Sequence, residues 1–246
     1  MRAVLIMGLA AQVGAHTCPS LPLATFSYDR ALPLDLRDSA AKTQDGVEIH
    51  AISFASPRGG RATGLLFVPE QRPPGVRLPG LVMQHGMPGK AEYVSWVSGN
   101  IAHHGAIVVA LDAPFARRTG DPVRFTPQDS AEQVQLIVDL QRAFDLLTGR
   151  PDVDAARLAF VGRSYATGAS FFFQAARKDE LVSANDAVAF QRAAPKPKAV
   201  RWYDLDHNLG WPAIVDELDW LHRTLGTAPA GPRADMWCAT KERCPD

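Results

Sequence analysis

The chain has 246 residues, enough for one sizeable α/β domain and short for two. Its 26 Lys and Arg balance 26 Asp and Glu, so no basic footprint points to nucleic acid or to an anionic membrane, and small-molecule chemistry or protein binding is left. A hydrophobic share of 46% with 19 Gly and 19 Pro fits a globular protein with many tight turns.

At the N-terminus Arg2 precedes an apolar run from Ala3 to Ala11, and Val13-Gly14-Ala15 supplies the small residues a signal peptidase reads. Residues 1–15 are expected to be a secretory signal peptide, which implies a secreted or periplasmic protein; the other reading is a buried first element of the fold. The run is too short and too rich in Gly and Ala to span a bilayer. Cys18, Cys238 and Cys244 sit near the two ends. In an oxidising compartment Cys238 and Cys244 could close a small loop, or either could pair with Cys18, leaving one thiol over. Their spacing does not resemble a zinc site, and no metal is expected.

Residues 47–54 and 62–68 are β-type runs separated by Pro57, Gly59 and Gly60, the pattern of an antiparallel hairpin. The runs 79–85 and 106–112 are almost continuously apolar, as strands buried on both faces of a parallel sheet are, and Ala91 to His104 can serve as the crossover between them. From Thr126 the period becomes helical: Thr126 caps, Pro127 takes the first position, Asp129 completes a capping box, and Ile137, Leu140, Phe144 and Leu147 recur at spacings of three and four. Gly149 and Pro151 stop the helix. RLAFVG (157–162) is then a buried strand that delivers the chain to Ser164, at the carboxyl end where ligands collect in open α/β sheets. AVRWYDLDHNLG (199–210) reads as a strand leading to His207, followed by a helix with Ile214, Leu218, Leu221 and Leu225 on one face. The domain is expected to run from 16 to 226, with a loosely ordered tail at 227–246.

VGRSYATG (161–168) approximates the G-x-S-x-G elbow, with Ala166 in place of the second glycine. Serine acyl transfer needs a nucleophile, a base oriented by an acid, and donors for the oxyanion. The candidates are Ser164 as nucleophile, His207 as base and Asp179 as the orienting acid, with the backbone N–H groups of Met87 and Tyr165 as the oxyanion hole. Asp204 and Asp206 compete with Asp179 for the acid role, although neighbours at i−1 and i−3 seldom aim at the far ring nitrogen. His85 reads as a structural histidine of the oxyanion loop. His103 and His104 are expected to face solvent, Asp112 to be a turn or loop residue, and Arg117 and Arg118 to form a solvated face.

QHGMPGKAEYV, ALDAPFARR, RPDVDAARLAFVGRS, FFFQAARKDELVS and RWYDLDHNLG together resemble an α/β-hydrolase of the dienelactone-hydrolase-like and acetyl-ester-hydrolysing kind, over roughly residues 45–225. The resemblance implies a mostly parallel sheet with helices on both faces, an N-terminal antiparallel hairpin, the chain order Ser, acid, His, and cleavage of small carboxylic esters without a cofactor. Relatives place a nucleophile helix, another strand and an insertion before the acid-bearing strand, whereas Ser164 and Asp179 are only 15 residues apart (179 − 164). A parallel crossover needs a dozen or more residues before its return strand begins. Two accommodations exist: FFFQA (171–175) remains the acid strand, or residues 165–193 become mostly helical and the strand at 199–204 pairs beside the nucleophile strand. Chain length favours the second, which would carry Asp179 away from His207 and leave Phe171, Phe172 and Phe173 as an apolar patch. The competing functional reading is a non-catalytic or impaired hydrolase-fold protein, and a peptidase would use the same triad.

Overall fold

The computed structural model describes residues 22–39, 41–87, 89–118, 124, 126–163, 171–193 and 198–231. The expected leader, the three cysteines, Ser164 and Tyr165 lie outside the described residues.

Strands β1 (Arg37–Asp38) and β2 (Lys42–Gln44) pair antiparallel with β3 (Val47–Ala55), which forms the expected hairpin with β4 (Arg61–Pro69). Strand β5 (Leu78–Gln84) is followed by helix α1 (Ser95–His103), β6 (Ile107–Leu111), helix α2 (Pro127–Gly149) and β7 (Val153–Gly162). The sheet order β3-β4-β6-β5-β7 puts a parallel centre, β6-β5-β7, beside the antiparallel hairpin. Every residue of β5 and β6 is buried. The pleat explains why: Leu81, Met83, Val108 and Ala110 pack against α1 and the last helix, α4 (Gly210–Leu225), whereas Val82, Ile107, Val109 and Leu111 pack against α2.

Local chemistry starts and stops these elements. Asp129 Oδ2 accepts the Thr126 N–H at 2.7 Å while the Thr126 hydroxyl accepts the Asp129 N–H at 3.4 Å, so the expected capping box opens α2. At Gly64 a Cβ would lie 2.2 Å from the Ala110 carbonyl oxygen, so only glycine lets β4 approach β6 there. Gly226, at φ 70°, closes α4 in the left-handed region. The chain stays packed beyond it, with Thr227 buried and the Ala228 N–H bonded to the His104 carbonyl.

The segment after the elbow departs from the expectation of a largely helical 165–193. Phe171–Ala176 is strand β8, Ala184–Ala193 is helix α3, and Lys198–Tyr203 is strand β9. β9 pairs in parallel with β8, from Phe171 opposite Lys198 to Ala176 opposite Tyr203, and not with β7. The length constraint is met elsewhere: 21 residues (198 − 176 − 1) carry the crossover between β8 and β9, ample for α3 and its turns. Among the described residues β7 pairs only with β5 and β8 only with β9. Among the described residues the main sheet therefore ends at β7, and β8 and β9 form a separate two-stranded sheet. Phe172 and Phe173 are half-buried, and the Phe172 ring stacks on Trp220 of α4.

Candidate active site

Parallel pairing of β8 and β9 brings two loops level. The Arg177 N–H donates to the Tyr203 carbonyl at 2.8 Å and the Lys178 N–H to the Leu205 carbonyl at 3.1 Å, so the chains run side by side past the strand ends. Asp179 follows one residue beyond this pair and His207 two. Ring atom Nδ1 of His207 lies 3.0 and 2.9 Å from the two Asp179 carboxylate oxygens. Asp179 Oδ1 also accepts the Leu181 and Val182 N–H groups, each at 2.9 Å. Burial pushes the Asp179 carboxyl up, but the Val182 amide, the His207 ring and the Leu181 amide together hold it below its ordinary range. An ionised Asp179 keeps the proton on Nδ1, which makes Nε2 the basic nitrogen of His207.

The rival acids are occupied differently. Asp204 is exposed and pairs with Lys178 at 3.1 Å, and Asp206 accepts the Asn208 N–H at 3.0 Å within its own turn. The expectation that Asp179 would miss His207 fails because β8 survives as a strand and sets the loop register.

On the side of the candidate nucleophile, β5 and β7 end together. The Arg163 N–H donates to the Gln84 carbonyl at 3.0 Å, which sets the residue before Ser164 beside the loop His85-Gly86-Met87. His85 is buried; its Nε2 accepts the Ala113 N–H at 3.0 Å, so its Nδ1 carries the proton and donates to the Gly86 carbonyl at 2.8 Å. Burial lowers its pKa, with the Gly86 contact opposing, and the ring is kept neutral as a brace for the loop, not as a base. Asp112 braces the same region, accepting the Ala91 N–H at 2.8 Å and the Thr63 hydroxyl at 2.7 Å. Met87 is half-buried against the α2 side of the core, and no hydrogen bond among the described residues uses its N–H.

Two surface expectations need correction. His103 is exposed, but His104 is buried with Nδ1 2.7 Å from the Asn100 carbonyl, because the chain at Ala228 returns over it. Arg117 and Arg118 do not form a solvated face: Arg117 binds the buried Asp139 of α2 at 3.1 Å and Arg118 binds Asp129, so both tie the loop after β6 to α2.

The sequence pattern also passed over Arg163 and Glu217. The Arg163 guanidinium donates to Glu217 Oε2 at 2.6 Å, with the glutamate side chain 7% exposed. Its signal was present: Glu217 is a charge set inside the apolar stripe Ile214, Leu218, Leu221 and Leu225. A recess of about 410 Å³, lined in part by Asp38, Ser53, Thr63, Glu92 and Asp112, opens on the hairpin side and is not lined by Asp179 or His207. Among the described residues no group of three His, Cys, Asp or Glu is placed to hold a metal ion, and no helix is long and apolar enough to cross a membrane.

No protein-family model and no curated protein matches the sequence. Solved structures do match. The acetyl xylan esterase from Paenibacillus sp. R4 superposes with a TM-score of 0.61 at 18% identity, covering 82% of this chain and 92% of its own. A cold-adapted esterase from an Arctic intertidal metagenomic library gives 0.62 at 16% identity, over 81% and 99% of the two chains. The S-formylglutathione hydrolase from Agrobacterium tumefaciens gives 0.58 at 12% identity, over 77% and 99%. With the hairpin, the parallel centre, and helices on both faces, this chain has the fold of the α/β-hydrolase superfamily.

Proposed function

We propose that the protein is a serine hydrolase of small carboxylic esters. The observation that carries this reading is the bidentate Asp179–His207 contact at the ends of β8 and β9. The fold shared with two esterases and a hydrolase supports it. In the proposed reaction the Ser164 hydroxyl attacks the ester carbonyl while His207 Nε2 takes its proton, and the carbonyl oxygen becomes an oxyanion held by the N–H groups of Met87 and Tyr165. Collapse expels the alcohol, which leaves with the proton from His207. Water, deprotonated by His207, then attacks the acyl-serine; the carboxylic acid departs and Ser164 is regenerated. Asp179 stays ionised throughout and stabilises the charged imidazole. None of these steps needs a cofactor.

Hydrolysis of a short-chain activated ester by wild type and Ser164→Ala tests the reading. Loss of several orders of magnitude in kcat is expected, and equal rates would refute it. That β7 and β8 are not paired among the described residues favours the one competitor, a non-catalytic hydrolase-fold protein, for which a folded wild type would hydrolyse nothing above background.

A further inference from the structure

Helix α4 contacts β7, β8 and β9, the strands that lead to the three members of the proposed triad. It begins three residues after His207 (210 − 207). Toward the main sheet it is tied at two levels: Arg157 of β7 donates to the Leu225 carbonyl at 3.2 Å, and Arg163, beyond the end of β7, donates to Glu217 at 2.6 Å. Toward the acid-bearing pair, Gln174 of β8 donates to the Ala213 carbonyl at 2.6 Å, the Tyr203 hydroxyl of β9 donates to Asp216 Oδ2 at 2.6 Å, and Arg201 pairs with Asp216. Contacts along β7 run from Leu225 back to Glu217, and along β8 from Trp220 back to Ala213, so both strands run antiparallel to α4 and parallel to each other. Adjacent residues of one helix thus reach two sheets that are not paired among the described residues: Glu217 binds Arg163 at the end of β7, and Asp216 binds Arg201 and Tyr203 of β9.

We infer that this clamp is a positioning device that joins β7 to the β8–β9 pair, which are not paired among the described residues, and sets His207 and Asp179 in register with Ser164; the inference rests on the esterase reading above. Burial and chemistry point to geometry as its purpose. Glu217 interrupts an apolar face, and among the described residues its Oε1 and the Arg163 Nε are buried with no hydrogen-bond partner. An ion pair so incompletely satisfied is a poor source of stability, and apolar residues of similar volume in its place are often neutral or stabilising. What apolar residues cannot supply is a directional tether between helix and elbow.

The test compares Glu217→Gln, which keeps an acceptor for Arg163, with the double variant Arg163→Met/Glu217→Leu, which keeps the packing but removes the tether. Each is melted, and kcat and KM are measured on a short-chain ester. The expected result is an inversion: the double variant melts no lower than Glu217→Gln, yet its kcat falls at least about ten-fold with KM within about two-fold, while Glu217→Gln retains most of the wild-type kcat. A role in stability alone would order kcat and melting temperature alike. The inference is overturned if the double variant turns over within about two-fold of wild type, or if its loss of rate follows a loss of folded protein. Should the double variant fail to fold, Glu217→Asp, one methylene short of Arg163, must lower kcat with KM held, and wild-type kcat there would overturn the inference. A folded wild type that hydrolyses nothing would overturn the esterase reading itself, and with it this inference.

Discussion

Asp179 receives two backbone amides besides the His207 ring, so its carboxylate is fixed before any substrate arrives. Asp179→Asn should lower kcat by about 10³–10⁴-fold, because an amide NH₂ facing Nδ1 favours the wrong tautomer. Asp204→Asn and Asp206→Asn should leave kcat near wild type, since those carboxylates serve a surface pair and a local turn; steady-state kinetics on one ester separates the three. His85 makes a different prediction. Truncation to Ala strands the buried Ala113 N–H, so His85→Ala should cost about 1–3 kcal/mol in a urea melt. Ser164, His207 and the candidate acids could be read from residue type and chain order. The choice among Asp179, Asp204 and Asp206 could not, because it depends on how two loops from different strands come level.

At the scale of elements, the capping box at Thr126 was legible because its contacts span only three residues. Thr126→Ala should cost about 1 kcal/mol of unfolding free energy, read as a lower urea midpoint. Gly64→Ala should cost more, about 2 kcal/mol or beyond, since the added methyl meets backbone that cannot yield without opening the β4–β6 ladder. Strands β5 and β6 were legible for the opposite reason: covered on both faces, they read as continuous apolar runs. The short distance from Ser164 excludes Phe171–Ala176 only as a parallel neighbour of β7, and not as a strand. Its actual partner, β9, lies on the far side of α3, and no local period announces that pairing.

Across the whole molecule, acid should unfold the protein through its carboxylates. Asp154 is held low by Arg157. Asp152, Asp179 and Asp216 are pushed up by burial but pulled further down by hydrogen bonds from Arg150, from Val182 and His207, and from Arg201 and Tyr203. Groups whose pKa is lower in the folded state stabilise it above the ordinary carboxylate range, and that stability is lost as pH falls through it. Burial raises Asp139 and Glu217, whose protonation favours the fold and offsets part of the loss. Because the lowered group is larger and reaches both sheets, Tm should decline from about pH 5 downward; a Tm flat or rising to pH 3 would contradict this balance. At this scale α4 is the element that contacts both sheets, through Arg157 and Arg163 on one side and Gln174, Arg201 and Tyr203 on the other.

In the proposed mechanism Ser164, His207 and an oxyanion hole act together. Intact mass after brief exposure of the folded protein to a fluorophosphonate tests it most directly, with Ser164→Ala as control. One adduct on wild type and none on the variant is the predicted result. No adduct on folded wild type, or equal labelling of the variant, would contradict it.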